Sequence, residues 1–339
     1  MNKNIQVAEV RARNKWIDIM KILGMYFIIV GHFPLLHGLH QWVYSFAVPL
    51  FFVISGYLCQ KSYSLKDLIR KLQPTVITVL VFCVANGFIN YLLHGSLDFS
   101  LQERNNNPIS FLINLIIGHQ PTLGPLWFVF TLIFIRIIHN MLIGRAFLNI
   151  IVCVACVVLL LFFPYIHRSN AFLAVLLSLP TFELGYYIGG KQHLVEIIKE
   201  KVSSLPVILI VITIAILAFL SYQVAIINGN VYLYVNEFGN NPILYVVGVF
   251  LGCLFCYVAS IKVDKGIREK RIIEIMSRGN FVTLAFHLHI TRCMTTYINQ
   301  LYNIDTTLLI FGESMLIMII MIPFQYIYYL IISHKWITK

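Results

Sequence analysis

The chain has 339 residues, of which 59% are hydrophobic and only 12% charged, with a mean hydropathy of +0.82. A soluble globular domain carries about 25% charged residues, so that class is excluded. The formal charge of +11 invites a nucleic-acid partner, but the basic residues are scattered over short segments between apolar runs, which excludes one.

Ten runs read as membrane helices: 16–36, 43–60, 74–94, 123–142, 148–164, 171–189, 205–222, 242–261, 281–301 and 306–333. They predict an all-α, polytopic membrane protein: a single domain over 1–339, one bundle around a central cavity, with short tails. With the N-terminus inside, twenty of the 25 Lys and Arg residues fall in inner segments and only Arg104 and Arg168 in outer ones. The positive-inside rule therefore puts both termini in the cytoplasm. A plasma (inner) membrane location follows as the expectation, with membrane lipid as surroundings. The N-terminal tail is polar and basic, and no small-residue cleavage site follows the first apolar run, so that run is expected to stay as an anchor.

The first run, WIDIMKILGMYFIIVGHFP, carries Asp18, Lys21 and His32. Charged and titratable groups inside a bilayer are costly and mark function by default. Eleven steps of about 100° bring Lys21 and His32 to one helix face, about 16 Å apart along the axis, with Asp18 three residues before Lys21. One stripe of the first span thus holds an acid, a base and a histidine. Further on, segment 95–122 contains a polar run and then FLINLIIGH, which suits an interfacial or re-entrant helix. Segment 223–241 is rich in Asn, Gly and Tyr, with turn chemistry that suits either an outer cover or a surface connection. The pairs CVAC at 153–156 and CLFC at 253–256 lie inside apolar runs without the turn a zinc ribbon needs, so no metal site is expected.

Several stretches, in order, resemble the acyltransferase 3 family of integral membrane acyltransferases. W-I-D-x-x-K-x10-H is similar to its opening motif, with Lys21 where the basic residue is usually Arg. FFVISGYL at 51–58, RKLQP at 70–74, GPLWFVFTL at 124–132, FELGYYIGG at 182–190 and FHLH at 286–289 resemble later segments. Lys21 keeps the charge but loses the planar fork of arginine. The resemblance spans nearly the whole chain. It implies transfer of an acyl group, most often acetyl, from cytoplasmic acyl-CoA to a hydroxyl of a carbohydrate or lipid-linked sugar. Acetyl-CoA or another acyl-CoA would be the donor, and no tightly bound cofactor is implied.

The residues suit that chemistry. Acyl transfer to an alcohol needs a base near the hydroxyl, and an imidazole fits the task. His32 is the candidate, by direct deprotonation or through an acyl-histidine relay. The bland reading is a core histidine. Lys21, oriented by Asp18, suits a donor clamp or a snorkelling anchor. Lys66, Arg70 and Lys71 form a basic mouth suited to CoA phosphates, or ordinary positive-inside charge. Ser55, beside Gly56, permits close helix or ligand approach rather than nucleophilic attack. Trp127 and Phe128 either wall an acyl tunnel or simply pack. Arg136 and Glu183 suit a pair across two helices, with Glu183 on the CoA path as the other reading. His287 and His289 point about 200° apart, so only one faces a cavity, and the resemblance favours His289. Arg292, His139 and Glu313 complete the intramembrane polar set. The competing reading is a transporter or flippase of a polysaccharide or lipid-linked sugar. Ten helices with internal charges suit it, but no internal repeat supports it.

Overall fold

The computed structural model describes residues 14–34, 36–99, 105–162, 170–266, 270–302 and 307–337. The basic tail 1–13, Arg104 and Arg168, used above to orient the chain, lie outside the described residues. All regular structure among the described residues is helical. The helices are α1 (Lys15–Gly31), α2 (His37–Leu58), α3 (Leu65–His94), α4 (Pro108–Ile116), α5 (Gln120–Leu123), α6 (Trp127–Leu142), α7 (Ala146–Phe162), α8 (Val175–Gly189), α9 (Gln192–Ser204), α10 (Val207–Asn228), α11 (Pro242–Gly266), α12 (Lys270–Tyr302) and α13 (Thr307–Ile337). Six of these stretches are long and apolar enough to cross a membrane: His37–Leu58, Leu65–His94, Gln120–Leu142, Val207–Asn228, Pro242–Asp264 and Leu309–Ile332.

Local chemistry sets several boundaries. The first helix stops at Gly31, five residues short of the predicted end, because Pro34 disfavours helix in the residue before it. Ser64 caps α3, its Oγ accepting from the Asp67 N–H at 3.2 Å, so that helix starts nine residues before the apolar run. Asn107 caps α4 in the same way, through the N–H groups of Ile109 and Ser110, and the short helix expected within 95–122 forms. The predicted inner loop 190–204 is instead the amphipathic helix α9, which docks when Tyr257 Oη donates to the Val195 carbonyl at 3.0 Å.

Helix α1 is the hub. It packs on α2, α11 and α12 and is buried on nearly all sides. Cross-helix pairs give the directions. Asp18 meets Ser277 and Lys21 meets Asn280, so α1 and α12 run parallel. Asn86 meets His289 and Asn90 meets Arg292, so α3 runs parallel to α12 as well. The closest crossing is α2 on α8. A Cβ on Gly56 would collide with the Phe182 carbonyl, one on Gly185 with the Val53 carbonyl, and one on Gly189 with the Tyr57 carbonyl. Small residues at this spacing let two backbones touch, and van der Waals contact then does the work that hydrophobic burial does in water. The SG and FELGYYIGG segments therefore build a helix crossing.

A second polar clamp secures α6. His139 places Nδ1 at 2.7 Å from Glu183 Oε1 and Nε2 at 3.3 Å from the Cys59 carbonyl. Asn149 Nδ2 donates to the other Glu183 oxygen. Asn140 accepts from the Tyr63 N–H and donates to the Tyr63 carbonyl, which pins the turn between α2 and α3. Every member is buried or half-buried and bonded, the condition under which such a network stabilises.

Candidate active site

The stripe on α1 meets a matching stripe on α12. At the N-terminal end of α1, the Ser277 hydroxyl donates to buried Asp18 Oδ1 at 2.6 Å. One turn on, Asn280 Nδ2 donates to the Lys21 carbonyl at 2.9 Å. At the far end, the imidazoles of His32 and His287 lie 5.0 Å apart between centroids. Positions 277, 280 and 287 recur at helical spacing on α12, as 18, 21 and 32 do along α1.

His32 occupies the residue after α1 and lines a cavity of about 450 Å³. Its side chain is exposed there rather than sealed in the core. Tyr44, Gln120, Trp127, Phe128, Tyr234 and Arg292 share the lining. Tyr234 comes from the Asn- and Tyr-rich loop before α11, which thus covers part of the site. A second cavity, of about 170 Å³, is lined by Lys21, Ser277, Arg278 and Asn280. Ile28, Phe128 and Leu284 line both cavities and so form the wall between them.

The His287 ring packs against His32, and neither His287 nor His289 is among the residues that line the two cavities. The His287 Nδ1–H donates to the Thr283 and Leu284 carbonyls at 3.0 and 2.9 Å. A carbonyl only accepts, so this nitrogen carries the proton and Nε2 is the lone-pair atom. Nε2 is buried and has no hydrogen-bond partner. His289, on the opposite side of α12, bonds Asn86 Oδ1 through Nε2 at 3.0 Å and packs on Phe99. The phase of α12 is set by its contacts with α1 and α13, which the i,i+2 spacing alone does not reveal.

The other candidates separate. Trp127 and Arg292 join His32 at the larger cavity, and Lys21 sits in the smaller one. Glu183 pairs with His139 and Asn149, not with Arg136, so the Arg136–Glu183 pair is not formed. Its carboxylate borders a different, apolar cavity of about 320 Å³ between α7, α8 and α11. Ser55 lines neither the larger nor the smaller cavity. Lys66, Arg70 and Lys71 are exposed on the first turns of α3, with Lys71 Nζ 3.7 Å from the Tyr63 ring centroid. Among the described residues, no group of three His, Cys, Asp or Glu side chains is placed to hold a metal ion.

His32 thus lines a cavity with the buried His287 ring packed against it, and a second cavity lined by Lys21 and Arg278 lies behind the shared wall. The family model described as "Acyltransferase domain" matches residues 14–330. The chain belongs to the acyltransferase 3 family. As a member of that family it is a membrane acyltransferase, and the matched residues take in all thirteen helices except the last turns of α13. Among curated proteins and solved structures, none matches the chain. Within this acyltransferase, the motif histidine of the opening segment is the one that reaches the larger cavity.

Proposed function

We propose that this acyltransferase moves an acyl group, acetyl by preference, from acyl-CoA to a hydroxyl of a carbohydrate or lipid-linked sugar, with His32 as general base. The observation that carries the reading is that His32 lines a cavity wide enough for a sugar-sized group, with the His287 ring packed against it. The acceptor hydroxyl attacks the thioester carbonyl, so an O–C bond forms as the C–S bond breaks. Its proton passes to His32, is shared with the lone pair on buried His287 Nε2, and returns through His32 to the departing CoA thiolate.

In this reading the donor approaches through the smaller cavity, where Lys21 and Arg278 attract its phosphates. Lys66, Arg70 and Lys71 stand at the same end of the bundle as an outer ring of positive charge. Ten alternating spans in the inner membrane, with both termini cytoplasmic, complete the proposal. The parallel course of α1, α3 and α12 supports it, because the first, third and ninth spans of such a bundle must run the same way.

The test uses purified protein with radiolabelled acetyl-CoA and a saccharide acceptor. Label appears in the saccharide as CoA is released, and both are lost in His32→Ala. Movement of the saccharide across a vesicle membrane without thioester consumption overturns the proposal in favour of a transporter.

A further inference from the structure

Arg292 is a cation at the His32 cavity that no carboxylate answers among the described residues. Among the described residues its hydrogen bonds go to two neutral oxygens, Asn90 Oδ1 at 3.3 Å and the Phe99 carbonyl at 2.8 Å. Its guanidinium carbon lies 5.5 Å from the Phe99 ring centroid. Asp98, next in sequence to Phe99, bonds Asn105 through its carboxylate instead. Guanidinium carries five N–H donors, so donors remain for a ligand. A half-buried cation is costly unless an anion compensates it, and a planar fork suits a carboxylate or phosphate best.

Its place along α12 says which substrate the anion belongs to. Arg278, His287 and Arg292 follow one another along the helix. Arg278 lines the smaller cavity with Lys21, and Arg292 lines the larger one beyond the histidines. A thioester arriving past Lys21 meets His32 before it meets Arg292. We propose that Arg292 forms a subsite for an oxyanion of the acceptor, a carboxylate or phosphate carried by the same molecule whose hydroxyl reaches His32. The inference rests on the acyl-transfer reading for naming that molecule the acceptor. The bland role, pinning the loop at 96–99 to α12, predicts no preference for charge.

Three probes decide it: methyl glucuronide, a sugar phosphodiester and neutral methyl glucoside. They are compared by thermal shift and by acetyl transfer, in the wild type, Arg292→Gln and Arg292→Lys. The expected result is that one or both anionic probes raise the melting temperature of the wild type while the glucoside does not. The carboxylate and phosphodiester arms tell which source of the oxyanion is recognised. Arg292→Gln abolishes the shift and lowers the anionic-to-neutral ratio of kcat/KM by about tenfold, the size of one charge-assisted hydrogen bond. Arg292→Lys, which keeps the charge, retains part of the preference. Equal behaviour of charged and neutral probes in the wild type overturns the proposal, as does a parallel loss with every acceptor in both variants. Protection by anions without transfer to any acceptor leaves an anion site and removes the acceptor assignment together with the acyl-transfer reading. Transfer without charge preference removes the Arg292 subsite alone.

Discussion

The imidazoles of His32 and His287 face each other at 5.0 Å between centroids, one open to the larger cavity and one buried with its Nε2 unbonded. In the proposed reaction the two rings have unequal tasks: His32 touches the substrate, and His287 acts through His32. His32→Ala should lower kcat for acyl transfer by about 100- to 10,000-fold, the usual worth of a positioned base. His287→Phe should lower kcat by a smaller factor, on the order of ten, with KM for both substrates little changed. The double variant should be no worse than His32→Ala, because residues acting as a unit are not additive. A His287→Phe enzyme with full kcat would end the case for the pair.

Phe128 stands in the wall shared by the two cavities. Shortening it should admit longer acyl chains. Phe128→Ala is expected to raise kcat/KM for butyryl-CoA relative to acetyl-CoA by about tenfold, within the range one or two methylenes command in an apolar pocket. Competition between the two donors, read by mass spectrometry of the product, gives the ratio directly. An unchanged ratio would place the acyl group elsewhere.

Gly56 and Gly185 lie where α2 and α8 touch backbone to backbone. Gly56→Val has no room unless the helices separate, and forcing side chains into a packed contact costs roughly 1–3 kcal/mol. A lower melting temperature in detergent is expected for it, and likewise for Gly185→Val. Gly144, where a Cβ meets nothing within 4 Å but φ is 78°, serves as the contrast: its penalty comes from backbone strain rather than collision.

Glu183 tests structure against donor binding. It is held by His139 and Asn149 in the buried interior. Removing one partner of such a pair leaves the other uncompensated, at about 3–5 kcal/mol. Glu183→Ala should therefore lose thermal stability heavily, as should His139→Ala, and the double variant should lose less than their sum. Preserved stability with a raised KM for acyl-CoA would put Glu183 on the donor path instead.

Much of this site was legible before folding was considered. Asp18, Lys21 and His32 stand out because an apolar run makes each of them expensive, and that cost does not depend on the fold. The matching stripe on α12 was also present in the sequence, since Ser277, Asn280 and His287 recur at helical intervals from one another. Gly56 was recognisable as a close-approach residue, but its partner Gly185 on α8 was not.

Composition and helical periodicity determined the helical class, the membrane setting and the polar face of α1, because those follow from each residue's transfer cost and its step around an axis. Tertiary structure decided what each polar group meets. The rotation of α12 packs His287 against His32 and turns His289 to Asn86, the crossing of α6 and α8 gave Glu183 to His139 rather than Arg136, and among the described residues the loop at 96–99 offers Arg292 a carbonyl and no carboxylate. These are outcomes of packing between segments far apart in the chain, where rotation and register are set by contacts that no single helix contains.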